Sequence, residues 1–150
     1  MKSVNPYLNF AGTTEEAFTF YKGVFGGEFP EVLRFRQFGG DSMGVPAPEL
    51  DKIAHIALPL GKDNMLMGTD VVSSSGARLT IGNNFCIMIE PDDADEARAL
   101  FDGLSAGGRI EMEPAKTEWA EVHGCCTDRF GVQWMINYTG NVEFAAGKPE

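Results

Sequence analysis

Two hydrophobic rhythms alternate along the chain, one of two residues and one of three to four, and their succession lays out the elements. From Asn5 to Ala11, Tyr7 and Asn9 share one face while Pro6, Leu8 and Phe10 share the other, the alternation of a strand. Pro6 lacks an N–H, which suits a strand start or edge. Thr13-Thr14-Glu15-Glu16 has capping-box spacing and predicts a helix start. Ala17, Phe20, Tyr21, Val24 and Phe25 then fall on one helical stripe, and Gly26-Gly27 ends it with backbone suited to a left-handed cap. Phe29 to Phe38 alternates as a strand, and Gly39 to Leu50 is a loop of turn residues, long enough to move or to cover a site. Ile53 to Leu60 and Met65 to Asp70 predict a hairpin around Gly61-Lys62-Asp63-Asn64.

Val71 to Asn84, with its Ser-Ser-Ser-Gly and Gly-Asn-Asn, breaks the pattern near the midpoint, and the pattern then restarts. Phe85 to Glu90 reads as a strand. Pro91 to Glu96 opens a helix with acids in its first turn, where the macrodipole favours them. Ala97, Leu100, Phe101 and Leu104 make the helical stripe, and Gly107-Gly108 ends it. Arg109 to Glu113, Glu118 to Thr127 and Gly131 to Tyr138 add three strands. Glu16-Ala17 aligns on Glu96-Ala97, Tyr21 on Phe101, and Asp51–Leu60 on Gly131–Gly140, all at an offset of 80. This spacing predicts an α+β chain of two βαβββ modules, about 1–72 and 80–140 with a short C-terminal tail, related by a pseudo-twofold in one domain over 1–150. It also makes His55 and Met135 equivalent positions.

Composition narrows the partners. The 150 residues carry a formal charge of -10, a field that repels nucleic acid and anionic membrane surfaces. No run approaches the length of a bilayer span, and Met1 to Pro6 has no apolar leader core. Three cysteines, two of them adjacent at Cys125-Cys126, do not make a disulfide framework; a cytoplasmic location is expected.

Asn5-Pro6-Tyr7-Leu8-Asn9-Phe10, Glu15-Glu16-Ala17-Phe18, Val24-Phe25-Gly26-Gly27-Glu28-Phe29 and Asp128-Arg129-Phe130-Gly131-Val132-Gln133-Trp134-Met135-Ile136-Asn137 resemble the PhnB-like group of the vicinal oxygen chelate superfamily, which includes glyoxalases, bleomycin-resistance proteins and extradiol dioxygenases. The resemblance spans nearly the whole chain. It implies two half-open mixed sheets cupping a pocket, and in metal-using relatives it implies ligands at the places held here by Pro6, His55, Cys86 and Met135. Of these only His55 is an ordinary ligand for a hard divalent ion, so no metal cofactor is expected. The methyltransferase label often attached to such relatives finds no support, since no GxG loop follows a strand.

The candidate ligand-binding residues are Leu8, Phe10, His55, Cys86, Met88, Trp119, Met135 and Asn137, and the acid/base candidates are His55, Glu121 and His123. Apolar walls with a few polar groups are the usual make-up of a small-molecule site. The expectation is a homodimeric protein binding a small organic molecule, a planar one held between Phe10 and Met135 with a polar atom on His55. Two alternatives are a metal-dependent isomerase, lyase or dioxygenase with a non-standard ligand set, and a purely structural dimerisation module.

Overall fold

The computed structural model describes residues 1–143; the expected C-terminal tail lies outside the described residues from position 144 onward. The chain divides into two compact units, Met1–Ile81 and Gly82–Glu150. Among the described residues each is an α+β unit with one α-helix and one four-stranded mixed sheet.

In the first unit the order is β1 (Tyr7–Phe10), α1 (Thr14–Phe25), β2 (Glu31–Arg34), β3 (Ile53–Leu60) and β4 (Asn64–Asp70). Across the sheet the strands run β1-β4-β3-β2, β1 and β4 parallel and the other pairs antiparallel. One face is covered by α1, which buries Thr14, Ala17, Phe18 and Tyr21. Gly68, partnered with Leu8, sits under the Phe18 ring, where an added Cβ would stand 2.7 Å from Phe18 Cε2. Leu8 and Phe10 are buried with Ile56, Leu58 and Leu66. Since Leu8 and Phe10 alternate with Tyr7 and Asn9, the exposed Tyr7 lies on the other, helix-free face. The expectation that Leu8 and Phe10 wall a ligand site is therefore corrected: the aromatic helix stripe needs an apolar partner, and these two side chains supply it.

Two further expectations change in this unit. The run Phe29 to Phe38 is a strand only over Glu31–Arg34; a bulge at Leu33/Arg34 is followed by a 3₁₀ turn at Phe35–Phe38. The turn drops Phe35 into a small core with Val45, Leu50 and Val72, against which Ala54 packs, so the loop over 39–50 is tied down from within. The capping box is also absent: Thr13 makes no side-chain cap bond. Instead Thr14 N–H and Oγ1–H both donate to Asp70 Oδ1 at 3.1 and 2.7 Å, and Ile53 N–H donates to Asp70 Oδ2 at 2.9 Å. One buried carboxylate at the end of β4 thus fixes the start of α1 and of β3.

The second unit repeats the order with β5 (Ile87–Ile89), α2 (Ala94–Ser105), β6 (Arg109–Ala115), β7 (Val122–Thr127) and β8 (Gln133–Tyr138), arranged β5-β8-β7-β6. Here Asp93 does cap the helix, accepting from Glu96 N–H at 2.8 Å, while Glu96 accepts from Asp92 N–H. Ala97, Phe101 and Leu104 of α2 are buried, as are Val122, Cys126, Trp134 and Ile136 of the sheet. Gly124 takes the place beneath Phe101, where a Cβ would meet the ring at 3.0 Å.

The offset of 80 holds for the helices, Thr14–Phe25 and Ala94–Ser105, and for the strand after each, Glu31–Arg34 and Arg109–Ala115, but not for the third and fourth strands of the two units. His55 lies on β3, the third strand of its unit, whereas Met135 lies on β8, the fourth. Their expected equivalence is corrected. The excursion of 3₁₀ turns and loop between β2 and β3 has no counterpart between β6 and β7, and it shifts the third strand of one unit into sequence alignment with the fourth of the other. Among the described residues no helix is long and apolar enough to cross a membrane.

Candidate functional site

On the helix-free face of the first sheet, three side chains from three strands form a chain of contacts. The Tyr7 hydroxyl lies 2.9 Å from His55 Nδ1, and His55 Nε2 lies 3.4 Å from Glu31 Oε2. The phenol donates to Nδ1, which leaves the Nε2 proton directed at the Glu31 carboxylate. Desolvation raises the Tyr7 phenol above its ordinary value, and the Glu31 charge adds to it, so Tyr7 is a donor at neutral pH, not a phenolate. The tilted Tyr7 and His55 rings stand 5.7 Å apart.

The second sheet presents a different set on its helix-free face. His123 and Asn137 are cross-strand partners, as are Cys125 and Met135, and Met135 is in turn partnered by Met88. Cross-strand partners share a face. His123 is buried; its Nδ1 lies 3.0 Å from Asn137 Oδ1 and 3.4 Å from Trp119 Nε1, and Cys125 Sγ lies 3.9 Å from its Nε2. An amide oxygen only accepts and an indole N–H only donates, so Nδ1 serves Asn137 in the Nδ1–H tautomer and accepts from Trp119 Nε1–H in the other. Trp119 meets the imidazole edge-on, with centroids 5.2 Å apart and planes at 77°. Trp119 precedes β7 and is set by a turn in which Trp119 and Ala120 N–H both donate to Thr117 Oγ1.

The structure thus brings together Met88, Trp119, His123, Met135 and Asn137, and places His55 with Tyr7 and Glu31 on the first sheet. Glu121 does not join His123. It lies before β7, and its Oε1 accepts from Asn141 N–H at 2.8 Å. Cys86, just before β5, lines a cavity of about 290 Å³ with Cys125, Asn83, Arg109, Glu111 and Gln133. Burial raises the Cys125 thiol, with Cys86 and Glu111 adding to the shift, while burial followed by Asp128 pushes Cys126 to about 11. Tyr7, Glu31 and Cys125 escaped the sequence reading. Period-two alternation did place Tyr7 opposite Leu8, but the choice of inward face turns on α1 and its demand for Leu8 and Phe10.

Among the described residues no three His, Cys, Asp or Glu side chains gather closely enough to hold a metal ion. The four positions implied by family resemblance do not fit a hard divalent ion. Pro6 has no donor, both His55 ring nitrogens face protein partners, and Met135 offers a soft thioether.

Residues 3–136 match the model of the glyoxalase/bleomycin resistance protein/dioxygenase superfamily. The chain is 32% identical over 142 residues to Protein YjdN of Escherichia coli (strain K12), covering 89% of this chain and 93% of that one. A crystal structure of protein PA1353 from Pseudomonas aeruginosa is 37% identical with a TM-score of 0.78, over 91% of this chain and 96% of that one. A Bacillus cereus protein named as a putative 3-demethylubiquinone-9 3-methyltransferase, PhnB protein, is 21% identical with a TM-score of 0.72, over 91% and 98%, and shares the fold. The chain belongs to the glyoxalase/bleomycin resistance protein/dioxygenase superfamily.

Proposed function

We propose that the protein binds a small planar organic molecule on the helix-free face of the second sheet, with no hard divalent metal. The observation that carries this reading is the exposure of large apolar side chains around a hydrogen-bonded histidine: Trp119 is 43% and Met88 57% exposed, beside His123 and Asn137. Large apolar groups clustered on a polar-centred surface mark binding sites. The indole offers a stacking face, the methionines offer adaptable contact, and Asn137 supplies hydrogen-bonding capacity. The protein acts in the cytoplasm as a homodimer; its three free thiols suit a reducing compartment, and open sheet edges are normally covered or paired.

Thermal-shift screening of planar aromatic compounds against the wild type and Trp119→Ala tests the reading. A stabilising compound whose effect is lost in Trp119→Ala supports it, since ligand bound only to the folded state raises the melting temperature by mass action. Stabilisation equal in both proteins, or no stabilising compound in the screen, counts against it.

A further inference from the structure

The sequence has seven methionines and three cysteines in 150 residues, yet one row across the second sheet holds four of these sulfurs. Met88 on β5 is partnered by Met135 on β8, Met135 by Cys125 on β7, and Cys125 by Met112 on β6. The first three strands pair without a register shift, so Met88, Met135 and Cys125 stand side by side on the helix-free face. Met112 extends the row next to a bulge. Neighbouring strands are about 4.8 Å apart, and methionine has three rotatable bonds. The thioethers of Met88 and Met135 and the sulfur of Cys125 can therefore meet at one point above Met135.

A nitrogen donor completes the set. His123 Nε2 lies 3.9 Å from Cys125 Sγ, and the ring is held through Nδ1 by Asn137 Oδ1 at 3.0 Å. A metal-binding imidazole is commonly held in this way, its far N–H donated to an oxygen that fixes tautomer and ring plane. Any apolar side chains would serve to wall a pocket for a planar molecule. Sulfur at three adjacent positions beside an oriented imidazole is a donor set for a soft ion, and thiolate and thioether ligands select copper(I) over hard divalent metals.

We propose that this face of the second unit binds one soft monovalent cation of the copper(I) class through Met88, Met135, Cys125 and His123. The site does not depend on an organic ligand, and Trp119 is not among its donors. Leucine is close to methionine in volume and apolarity but has no sulfur donor, so Met→Leu changes separate coordination from packing.

The test is anaerobic transfer of copper(I) to the full-length protein from a coloured copper(I) chelator, with no organic ligand present. One equivalent per chain is expected, with affinity reduced at least tenfold in Met88→Leu/Met135→Leu and unchanged in Met43→Leu of the first unit. Silver(I), used as a diamagnetic probe of the wild type, should shift the Met88 and Met135 methyl resonances most. That second reading does not depend on the variant folding. No transfer, transfer equal in the double variant, or silver shifts centred on other methionines would overturn the site. Failure here leaves the Trp119-dependent binding test standing, and the reverse also holds.

Discussion

Single side chains decide how firmly each unit is closed. Asp128, buried after β7, accepts from Phe130 N–H at 2.8 Å, Val132 N–H at 3.1 Å and Trp134 Nε1–H at 2.8 Å. Asp128→Ala strands several donors at once, and losing the partner of a buried donor costs about 1–3 kcal/mol each before relaxation. Chemical denaturation should show a loss of roughly 2–4 kcal/mol, and a midpoint within error of wild type would contradict this role. The three thiols should also separate kinetically. Only the thiolate is nucleophilic; Cys126 is buried with its thiol pushed to about 11, Cys125 is raised, and Cys86 is exposed. Iodoacetamide at pH 8 should therefore modify Cys86 first and Cys126 last in the native protein, as read by peptide mass mapping. Modification of Cys126 ahead of Cys86 would mean that the sheet opens more readily than its burial implies.

At the scale of elements, both sheets carry a glycine where an aromatic ring of the helix comes down. Gly68 under Phe18 and Gly124 under Phe101 let helix and sheet approach closely, so adding a methyl is overpacking. Gly68→Ala and Gly124→Ala should each cost about 1–3 kcal/mol, Gly68→Ala the more because its new Cβ would stand 2.7 Å from Phe18 against 3.0 Å from Phe101 at the other site. Equal, near-zero costs in thermal melts would show that the helices can lift without penalty. The first unit has a further tie between Arg34 of β2 and Glu15 of α1, at 2.7 Å. Hydrogen bonding to Arg34 holds Glu15 below its ordinary value of 4.5. A lowered carboxyl stabilises above its unfolded value and loses that contribution as pH falls through the folded one. A Glu15→Gln/Arg34→Met double-mutant cycle should give a coupling within about 1 kcal/mol at pH 7 that vanishes at strongly acidic pH. A coupling unchanged in acid would assign it to packing.

These elements also show what was readable in advance. Both helices, the β3–β4 hairpin and the break near residue 80 follow from local periodicity and turn residues, which act over a few positions. The exchange of faces at Leu8 and Phe10, and the mismatch of His55 with Met135, depend on tertiary partners: a helix that claims one face, and the 3₁₀ excursion around Phe35 and Leu50 that shifts the register of the repeat. The candidate site was legible in its second half, where Met88, Trp119, Met135 and Asn137 do gather with His123. Tyr7, Glu31 and Cys125 were missed because their roles rest on cross-strand neighbours that the linear pattern does not reveal.

For the whole molecule, the proposed dimer predicts twice the 16.3 kDa chain mass by light scattering at micromolar concentration; a monomer mass would remove it. The proposed absence of a hard divalent ion predicts a melting temperature unchanged by EDTA, because a metal bound to the folded state would stabilise it by mass action. The central claim is that recognition occurs on the helix-free face of the second sheet, and backbone amide NMR during titration with a stabilising planar compound tests it most directly. The account predicts saturable shifts centred on Met88, Trp119, His123, Met135 and Asn137. Shifts centred on α2 and its partners Val122 and Ile136, or spread evenly over the chain, would contradict it.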